Sequence, residues 1–183
     1  MNSIFTVLRF NTDLVMMRAM ERLSVVFSGY PSQENAARML LKLGASVKNG
    51  AAYFGDIELS DTAIGRAAGT DRRVARATID KISADKELSE FFSGLRPIAL
   101  LADVAPLIGC STLEIVPTNA KIPGILADVS AVTLAAGISI RQAVIDDPDG
   151  KSARLLIVMD GTLPAEFIPS LRQCRGVASV VLR

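Results

Sequence analysis

The stretch GTDRRVARATIDKI contains three closely spaced arginines, Arg72, Arg73 and Arg76. If a helix begins near residue 72, Arg73 and Arg76 share one of its faces and Arg72 lies beside them at the first turn. Guanidinium groups on the first turns of a recognition helix are placed to contact the major groove of DNA. The alternative is an ordinary solvated helix face, on which Arg76 and Asp80, four residues apart, form a surface ion pair.

Two short helices are predicted to position these arginines. The first is rich in alanine, with Ser60 as its N-cap and Gly69 after its last turn, and Asp71 is the expected N-cap of the second. The buried face of the second helix is predicted to carry Val74, Thr78 and Ile82. Two short helices joined by a tight turn that contains glycine are typical of a helix-turn-helix.

The stretch PTNAKIPGIL, residues 117–126, places Pro-Gly at the first turn of another predicted helix. Proline is favoured at the first position of a helix, so this helix is expected to begin at Pro123 and to end at Gly137. Its start would have little side-chain cover over the backbone. The same Pro-Gly pair also occurs at helix starts that bind nothing.

The sequence contains no histidine, which excludes several kinds of catalytic site. Ser-His and Cys-His nucleophile pairs, an imidazole general base and His-containing zinc sites all need that side chain. No GxxxxGK[ST] or GxGxxG stretch is present, so the familiar phosphate-binding loops are missing as well. We therefore predict a protein that is not an enzyme and that needs no metal or cofactor.

The acidic and sulfur-containing residues support that prediction. The cluster DDPDG, with Asp146, Asp147 and Asp149, lacks the alternating ligands and the distal glutamate of an EF-hand, and is predicted to be a turn between strands. Cys110 and Cys174 are far apart and have no paired spacing, so neither a metal site nor a disulfide is expected.

The overall composition indicates a globular protein. The chain has 183 residues, of which 50% are hydrophobic and 21% charged, and this length suits one medium domain or two small ones. The formal net charge of +1 provides no overall field that would attract nucleic acid or a membrane. Arg9, Asp13 and Asp103 interrupt the longer apolar runs, so we expect neither a signal peptide nor a membrane span, and predict a cytoplasmic protein.

The first part of the chain, residues 1–92, is predicted to be a helical, helix-turn-helix-like domain, in which residues 1–16 look like an extra leader. Besides the two helices above, it should contain helices over LVMMRAMERLSVVF and PSQENAARMLLKLG and a small hairpin in VKNGAAYFGDIEL. A linking helix is expected within residues 93–110.

Residues 111–183 are predicted to form a βαββαβ unit with an antiparallel, ferredoxin-like sheet and both helices on one face. Its strands 153–159 and 177–182 are apolar at consecutive positions, so both of their faces need burial. We therefore predict a homodimer built through this domain. The alternative is burial of the second face beneath the front domain and a helix over residues 97–108. The predicted fold class is thus α+β.

A βαββαβ unit with Pro-Gly-x-Leu at its first strand–helix junction resembles the ACT domain, the amino-acid-sensing module of many allosteric enzymes and transcription regulators. The whole chain is similar to archaeal predicted regulators of amino-acid metabolism, which join a helix-turn-helix-like domain to a C-terminal ACT domain. SGYPSQENAARMLLKLG, GTDRRVARATIDKI and GISIRQAVIDDPDG carry this similarity.

The resemblance implies that an amino acid binds at the first strand–helix loop. The ligand-binding residues it indicates are Asn119, Ile122, Pro123, Gly124, Ile125 and Leu126. Exposed backbone N–H groups and the positive end of the helix dipole suit an α-carboxylate, and Gly124 lets the ligand approach the backbone. Asn119 could donate and accept hydrogen bonds to its polar atoms.

Two functions are consistent with these features. The first is an amino-acid-responsive transcription regulator, in which the C-terminal domain binds the ligand and Arg72, Arg73 and Arg76 contact DNA. The second is an allosteric regulatory or assembly subunit that acts on a metabolic enzyme by protein contact. The arginine spacing favours the first and the near-neutral charge favours the second.

Overall fold

Apolar side chains collect in separate cores, and the chain accordingly divides into two units, Met1–Ile98 and Ala99–Arg183. The structure is a computed structural model that describes residues 21–146 and 153–183. Its described part is a mixed α+β chain with two antiparallel sheets. The predicted leader, residues 1–16, and the predicted DDPDG turn after Asp146 lie outside the described residues.

The first unit packs helices against a three-stranded sheet. Residues 21–26 are helical (α1) and are the described end of the helix predicted over LVMMRAMERLSVVF. The remaining elements are α2 (Pro31–Lys42), β1 (Ser46–Lys48), β2 (Ala51–Phe54), β3 (Ile57–Leu59), α3 (Asp61–Ala67), α4 (Arg72–Ala84) and α5 (Lys86–Gly94). The predicted hairpin is therefore a meander, with Asn49-Gly50 and Gly55-Asp56 as its two turns.

The predicted caps define α3 and α4. The Ser60 hydroxyl accepts a hydrogen bond from the Ala63 N–H, and the Asp71 carboxylate accepts from the N–H groups of Arg73 and Val74. The two helices come close at Gly65, where an added Cβ would lie 2.8 Å from the backbone carbonyl of Asp71. A larger residue at this position would push α4 away from α3.

The predicted linking helix is wrong. Residues 95–104 contain no helix, and only a short 3-10 turn, Ala105–Ile108, lies within residues 95–109. Pro97 disfavours helical geometry at Arg96, and the extended chain there places the Arg96 carbonyl 2.7 Å from where a Cβ of Gly44 would be. The helix in this part of the chain is α5, which was not predicted.

The second unit has its strands and α-helices in the order βαββαβ. Its elements are β4 (Cys110–Pro117), α6 (Ile125–Ala135), β5 (Ile140–Asp146), β6 (Arg154–Asp160), α7 (Ile168–Gln173) and β7 (Val177–Leu182). The strand order is β5-β6-β4-β7, with every neighbouring pair antiparallel. On one face of the sheet, Leu113 and Ile157 form a core with Val129 of α6 and Leu171 of α7.

The second face of β4 and β6 is covered by the same chain. Leu156 and Val158 are buried against Leu101, Ala102 and Ala105, which belong to the segment that precedes β4. The expectation that this face of β6 needs a partner is therefore wrong, because residues 99–108 bury it without forming the helix proposed for that role. Strand β7 differs, since Val181 remains 41% exposed.

Two polar side chains hold this covering segment on the sheet. The Gln142 amide donates to the Ala99 carbonyl (2.8 Å) and accepts from the Leu101 N–H (2.9 Å). The Thr112 hydroxyl donates to the Ala102 carbonyl (2.6 Å). Gln142 therefore pairs with the segment much as a neighbouring strand would.

We expect Gln142→Ala to destabilise the second unit by about 1–2 kcal/mol, because two hydrogen bonds are lost and each contributes roughly 0.5–1.5 kcal/mol. Hydrogen exchange of residues 99–104 should accelerate, and urea unfolding should occur at lower denaturant concentration. Gln173→Ala, an exposed change on α7, is the matched control. Identical behaviour of the two variants would contradict the role given to Gln142.

Candidate functional site

A cleft of about 240 Å³ lies where β4 and β5 end, β6 begins and α6 starts. It exists because β5, β6 and β4 are neighbours in the sheet, so their ends meet at one edge. Ala120 and residues 122–126 line it from the loop and helix. The sheet contributes Pro117, Ile145 and residues 153–155.

Five of the six predicted ligand-binding residues line this one cleft: Ile122, Pro123, Gly124, Ile125 and Leu126. The sixth, Asn119, is not among the lining residues. Its carboxamide oxygen instead accepts a hydrogen bond from the Lys121 N–H at 2.9 Å, which closes a local turn in the loop. The sequence did not indicate Ile145 or Leu155, because their proximity to the loop follows from strand pairing.

The helix begins at Ile125, two residues later than predicted. Gly124 is the N-cap and has φ +95°, outside the range of a helical residue, so Pro123 cannot be the first residue of α6. Gly124 has no side chain to cap the first turn, and its carbonyl accepts from the Asp128 N–H at 2.9 Å. The N–H groups of the first turn therefore lack a side-chain cap.

An ion pair between distant parts of the unit lies beside this helix start. Arg175, in the turn between α7 and β7, donates through Nε and Nη2 to the two carboxylate oxygens of Asp128, at 3.0 and 3.2 Å. A Cβ added to Gly124 would lie 3.3 Å from Nη2 of Arg175. The two residues are 47 positions apart, so no local pattern in the sequence indicates the pair.

The pKa values of Asp128, Arg175 and the neighbouring Cys174 are all shifted from their ordinary values. Hydrogen bonds from Arg175 lower the pKa of Asp128, against an opposing effect of desolvation, and the carboxylate in turn raises the pKa of Arg175. Burial raises the pKa of the Cys174 thiol, and the negative charge of Asp128 adds to the effect. Cys174 is therefore a neutral thiol at pH 7 and a poor nucleophile.

A buried carboxylate pairs with one of the lining residues of the cleft, Arg154. Glu114 of β4 is 6% exposed, and it accepts from Nη2 of Arg183 at 2.8 Å. Nη1 of Arg154, a lining residue, lies 3.5 Å from the second carboxylate oxygen. A buried charge needs such pairing. The lone glutamate in the apolar strand STLEIVP is the signal that could have indicated this cluster.

The second candidate site is the outer face of α4. Arg72, Arg73 and Arg76 are all exposed, as predicted, and Arg73 and Arg76 lie opposite the buried face. That face consists of Ala75, Thr78, Ile79 and Ile82, whereas Val74 is only half-buried at its edge.

The surface ion pair between Arg76 and Asp80, which was the alternative to DNA contact, is also present. Nη2 of Arg76 lies 2.8 Å from the carboxylate of Asp80, and the two side chains are 49% and 55% exposed. Arg76 also reaches the β1–β2 turn, since a Cβ on Gly50 would lie 3.6 Å from Nη2. Its guanidinium therefore lies between α4 and that turn.

No protein-family model matches the sequence, and no curated protein matches it. Within residues 21–146 and 153–183, no helix combines the length and apolar character needed to cross a bilayer.

We expect the loss of stability in Gly124 variants to depend on how well the new residue tolerates positive φ, and not on its size. Alanine should cost about 1–2 kcal/mol, because an L-residue is strained in the left-handed region, and valine should cost more. Asparagine is larger than alanine but tolerates positive φ, so Gly124→Asn should cost less than Gly124→Ala. Urea unfolding measures the series.

Gly137→Ala provides the matched control at the other end of α6. Gly137 has φ +70° and no neighbour within 4 Å of an added Cβ, so this change isolates the backbone cost from the contact with Arg175. Equal stability of wild type, Gly124→Ala and Gly124→Val would show that the backbone at residue 124 is not held at positive φ.

Proposed function

We propose that the protein is an amino-acid-responsive regulator whose second unit is an ACT-like domain that binds an amino acid in the cleft at the start of α6. The observation that carries this proposal is the convergence of residues 122–126 on one cleft with the ends of three strands. The order β5-β6-β4-β7, with α6 and α7 packed on one core, supports a ferredoxin-like arrangement of the βαββαβ unit.

The start of α6 is suited to the carboxylate of the ligand. Its first-turn N–H groups have no side-chain cap, and the helix dipole favours negative charge there. Gly124 presents no side chain toward an approaching ligand. Since the carboxamide oxygen of Asn119 is bonded to the Lys121 N–H, we assign Asn119 to shaping the loop rather than to ligand contact.

The first unit is proposed to contact DNA through α4. The pair α3 and α4, with a tight approach at Gly65 and capped starts, supports a helix-turn-helix arrangement. Arg72 and Arg73 are exposed at the first turn of α4, where such a helix contacts DNA. The exposed Arg76–Asp80 pair is worth only about 0.3–0.5 kcal/mol, so a phosphate could replace Asp80 as the partner of Arg76.

A second candidate function is an allosteric or assembly subunit that acts on a metabolic enzyme by protein contact. The net charge of +1 favours it, because DNA-binding proteins usually present a clear excess of positive charge. The Arg76–Asp80 pair, which neutralises part of the basic face of α4, favours it too. Both candidates share the ligand site in the second unit.

A homodimer remains part of the proposal, but through a different surface. The outer side of the segment that covers the sheet presents Leu100, Val104, Leu107 and Ile108, which are 47%, 42%, 85% and 51% exposed. A cluster of exposed apolar side chains of this kind is typical of an association surface. One side of the covering segment would then pack on the sheet, and the other side would contact a second copy of the chain.

We expect Arg72→Ala/Arg73→Ala to weaken binding to a mixed-sequence DNA duplex and to reduce the slope of log K against log salt by up to about 2, because each lost phosphate contact removes roughly 0.9 from the slope. Lys86→Ala/Arg172→Ala removes the same charge from exposed positions elsewhere and is the control. Fluorescence anisotropy measures both slopes. An unchanged slope, or no DNA binding by wild type at low salt, would favour the enzyme-partner function.

We expect light scattering of the full chain at tens of micromolar to give twice the mass of one chain. Leu107→Asp should shift the protein toward the monomer, since a charge would be buried in the apolar surface. Leu134→Asp, at a 78% exposed position on α6, should leave the mass unchanged. A wild-type monomer would contradict the dimer, and dissociation by Leu134→Asp alone would assign it to another surface.

A further inference from the structure

The side chains that line the cleft are mostly aliphatic. Besides Gly124, Ala120 and Ala153, the described lining consists of proline, isoleucine and leucine side chains and one charged residue, Arg154. The aliphatic groups come from both walls: Ile122, Ile125 and Leu126 on the loop and helix, and Pro117, Ile145 and Leu155 on the sheet. A molecule in the cleft therefore contacts hydrocarbon on opposite sides.

Arg154, the one charged residue of the described lining, is already paired. Arg154 lies 3.5 Å from the buried carboxylate of Glu114, which also pairs with Arg183. An acidic ligand side chain would compete with Glu114 for Arg154, and a basic one would meet a like charge. A neutral polar side chain would lose its hydrogen bonds to water against the aliphatic walls. The lining thus disfavours charged and polar side chains for separate physical reasons.

The volume gives a scale for the size of the ligand. A benzene molecule fills a dry cavity of about 150 Å³, and drug-sized ligands need roughly 300–1,000 Å³. At about 240 Å³ the cleft has room for a branched aliphatic side chain together with the polar groups of an amino acid. A phenyl ring would occupy most of that space before those polar groups were placed.

We infer that the ligand is an amino acid with a branched aliphatic side chain, the class of valine, leucine and isoleucine. This inference rests on the proposed function, which supplies the amino acid, and adds the identity of its side chain. The carboxylate lies at the start of α6, and the side chain lies between Ile122 on the loop and Ile145 and Leu155 on the sheet. Each buried methylene then contributes about tenfold or more to affinity.

Isothermal titration of the full chain with pairs of similar shape tests this inference. Leucine should bind at least about tenfold tighter than asparagine, and valine up to about a hundredfold tighter than threonine, because an aliphatic cavity rejects an added hydroxyl only to that extent. Alanine, glutamate, lysine and phenylalanine complete the panel, and all should bind more weakly than the branched aliphatic ligands.

Variants of β5 assign the binding to the cleft. Ile145 lines the cleft and is 53% exposed, so Ile145→Asn should leave the fold intact and lower leucine affinity about tenfold or more, while Ile145→Val should retain most of it. Ile140→Asn changes an exposed isoleucine on the same strand that does not line the cleft, and should bind leucine as wild type does.

The outcomes separate the two proposals. If no amino acid binds, amino-acid sensing fails and this inference fails with it. If asparagine, threonine, alanine, glutamate, lysine or phenylalanine binds as tightly as leucine, sensing stands and the assignment to a branched aliphatic ligand is overturned. If leucine binds but Ile145→Asn and Ile140→Asn have the same affinity, the ligand occupies another place and the assignment to this cleft is overturned.

Discussion

The positive φ of Gly124 is the constraint on which the candidate site depends. At φ +95° the chain leaves the loop after β4 and enters α6 at Ile125, in a conformation that a residue with a Cβ adopts only with strain. Because the N-cap is glycine, the first turn of the helix has no side-chain cap, and its N–H groups stay available. The same turn brings residues 122–126 against the ends of β4, β5 and β6, which creates the cleft.

The polar interactions in the second unit hold together elements that are distant in the sequence. Arg175 and Asp128 join the α7–β7 turn to the first turn of α6, so the helix start is held by a contact from far along the chain. On the other face of the sheet, Gln142 and Thr112 hold the segment that covers Leu156 and Val158. The second face of β6 is therefore buried within one chain, and association between copies becomes a separate property of the outer surface of that segment.

Local sequence signals predicted much of this fold. Ser60 and Asp71 cap their helices as expected, since a cap depends on residues only two or three positions apart. Asn49-Gly50 and Gly55-Asp56 form turns because their backbone preferences are equally local. Two of the errors involve proline: no helix forms across Pro97, and Pro123 was expected to start one although Gly124 adopts positive φ.

The parts that could not be predicted depend on distant residues. The loop residues of the site were identified from a short motif, but Ile145 and Leu155 join them only through strand order, and Arg175 reaches Asp128 across 47 positions. The cover over the second sheet face was predicted only as an alternative to a dimer, and as a helix over residues 97–108. Its apolar sequence was visible, but an extended segment held by Gln142 has no periodicity that would distinguish it from a helix.

The central claim is that a small amino acid binds at the start of α6, and a ¹H–¹⁵N correlation spectrum of the full chain during titration with leucine tests it directly. Binding there should shift the amide signals of Gly124, Ile125 and Leu126 most, together with those of Ile145 and Leu155, because the ligand would contact the helix start and the strand ends at once. Saturable shifts confined to these signals are the predicted result. Saturable shifts that leave Gly124, Ile125 and Leu126 unchanged, or no shifts at millimolar leucine, would contradict the claim.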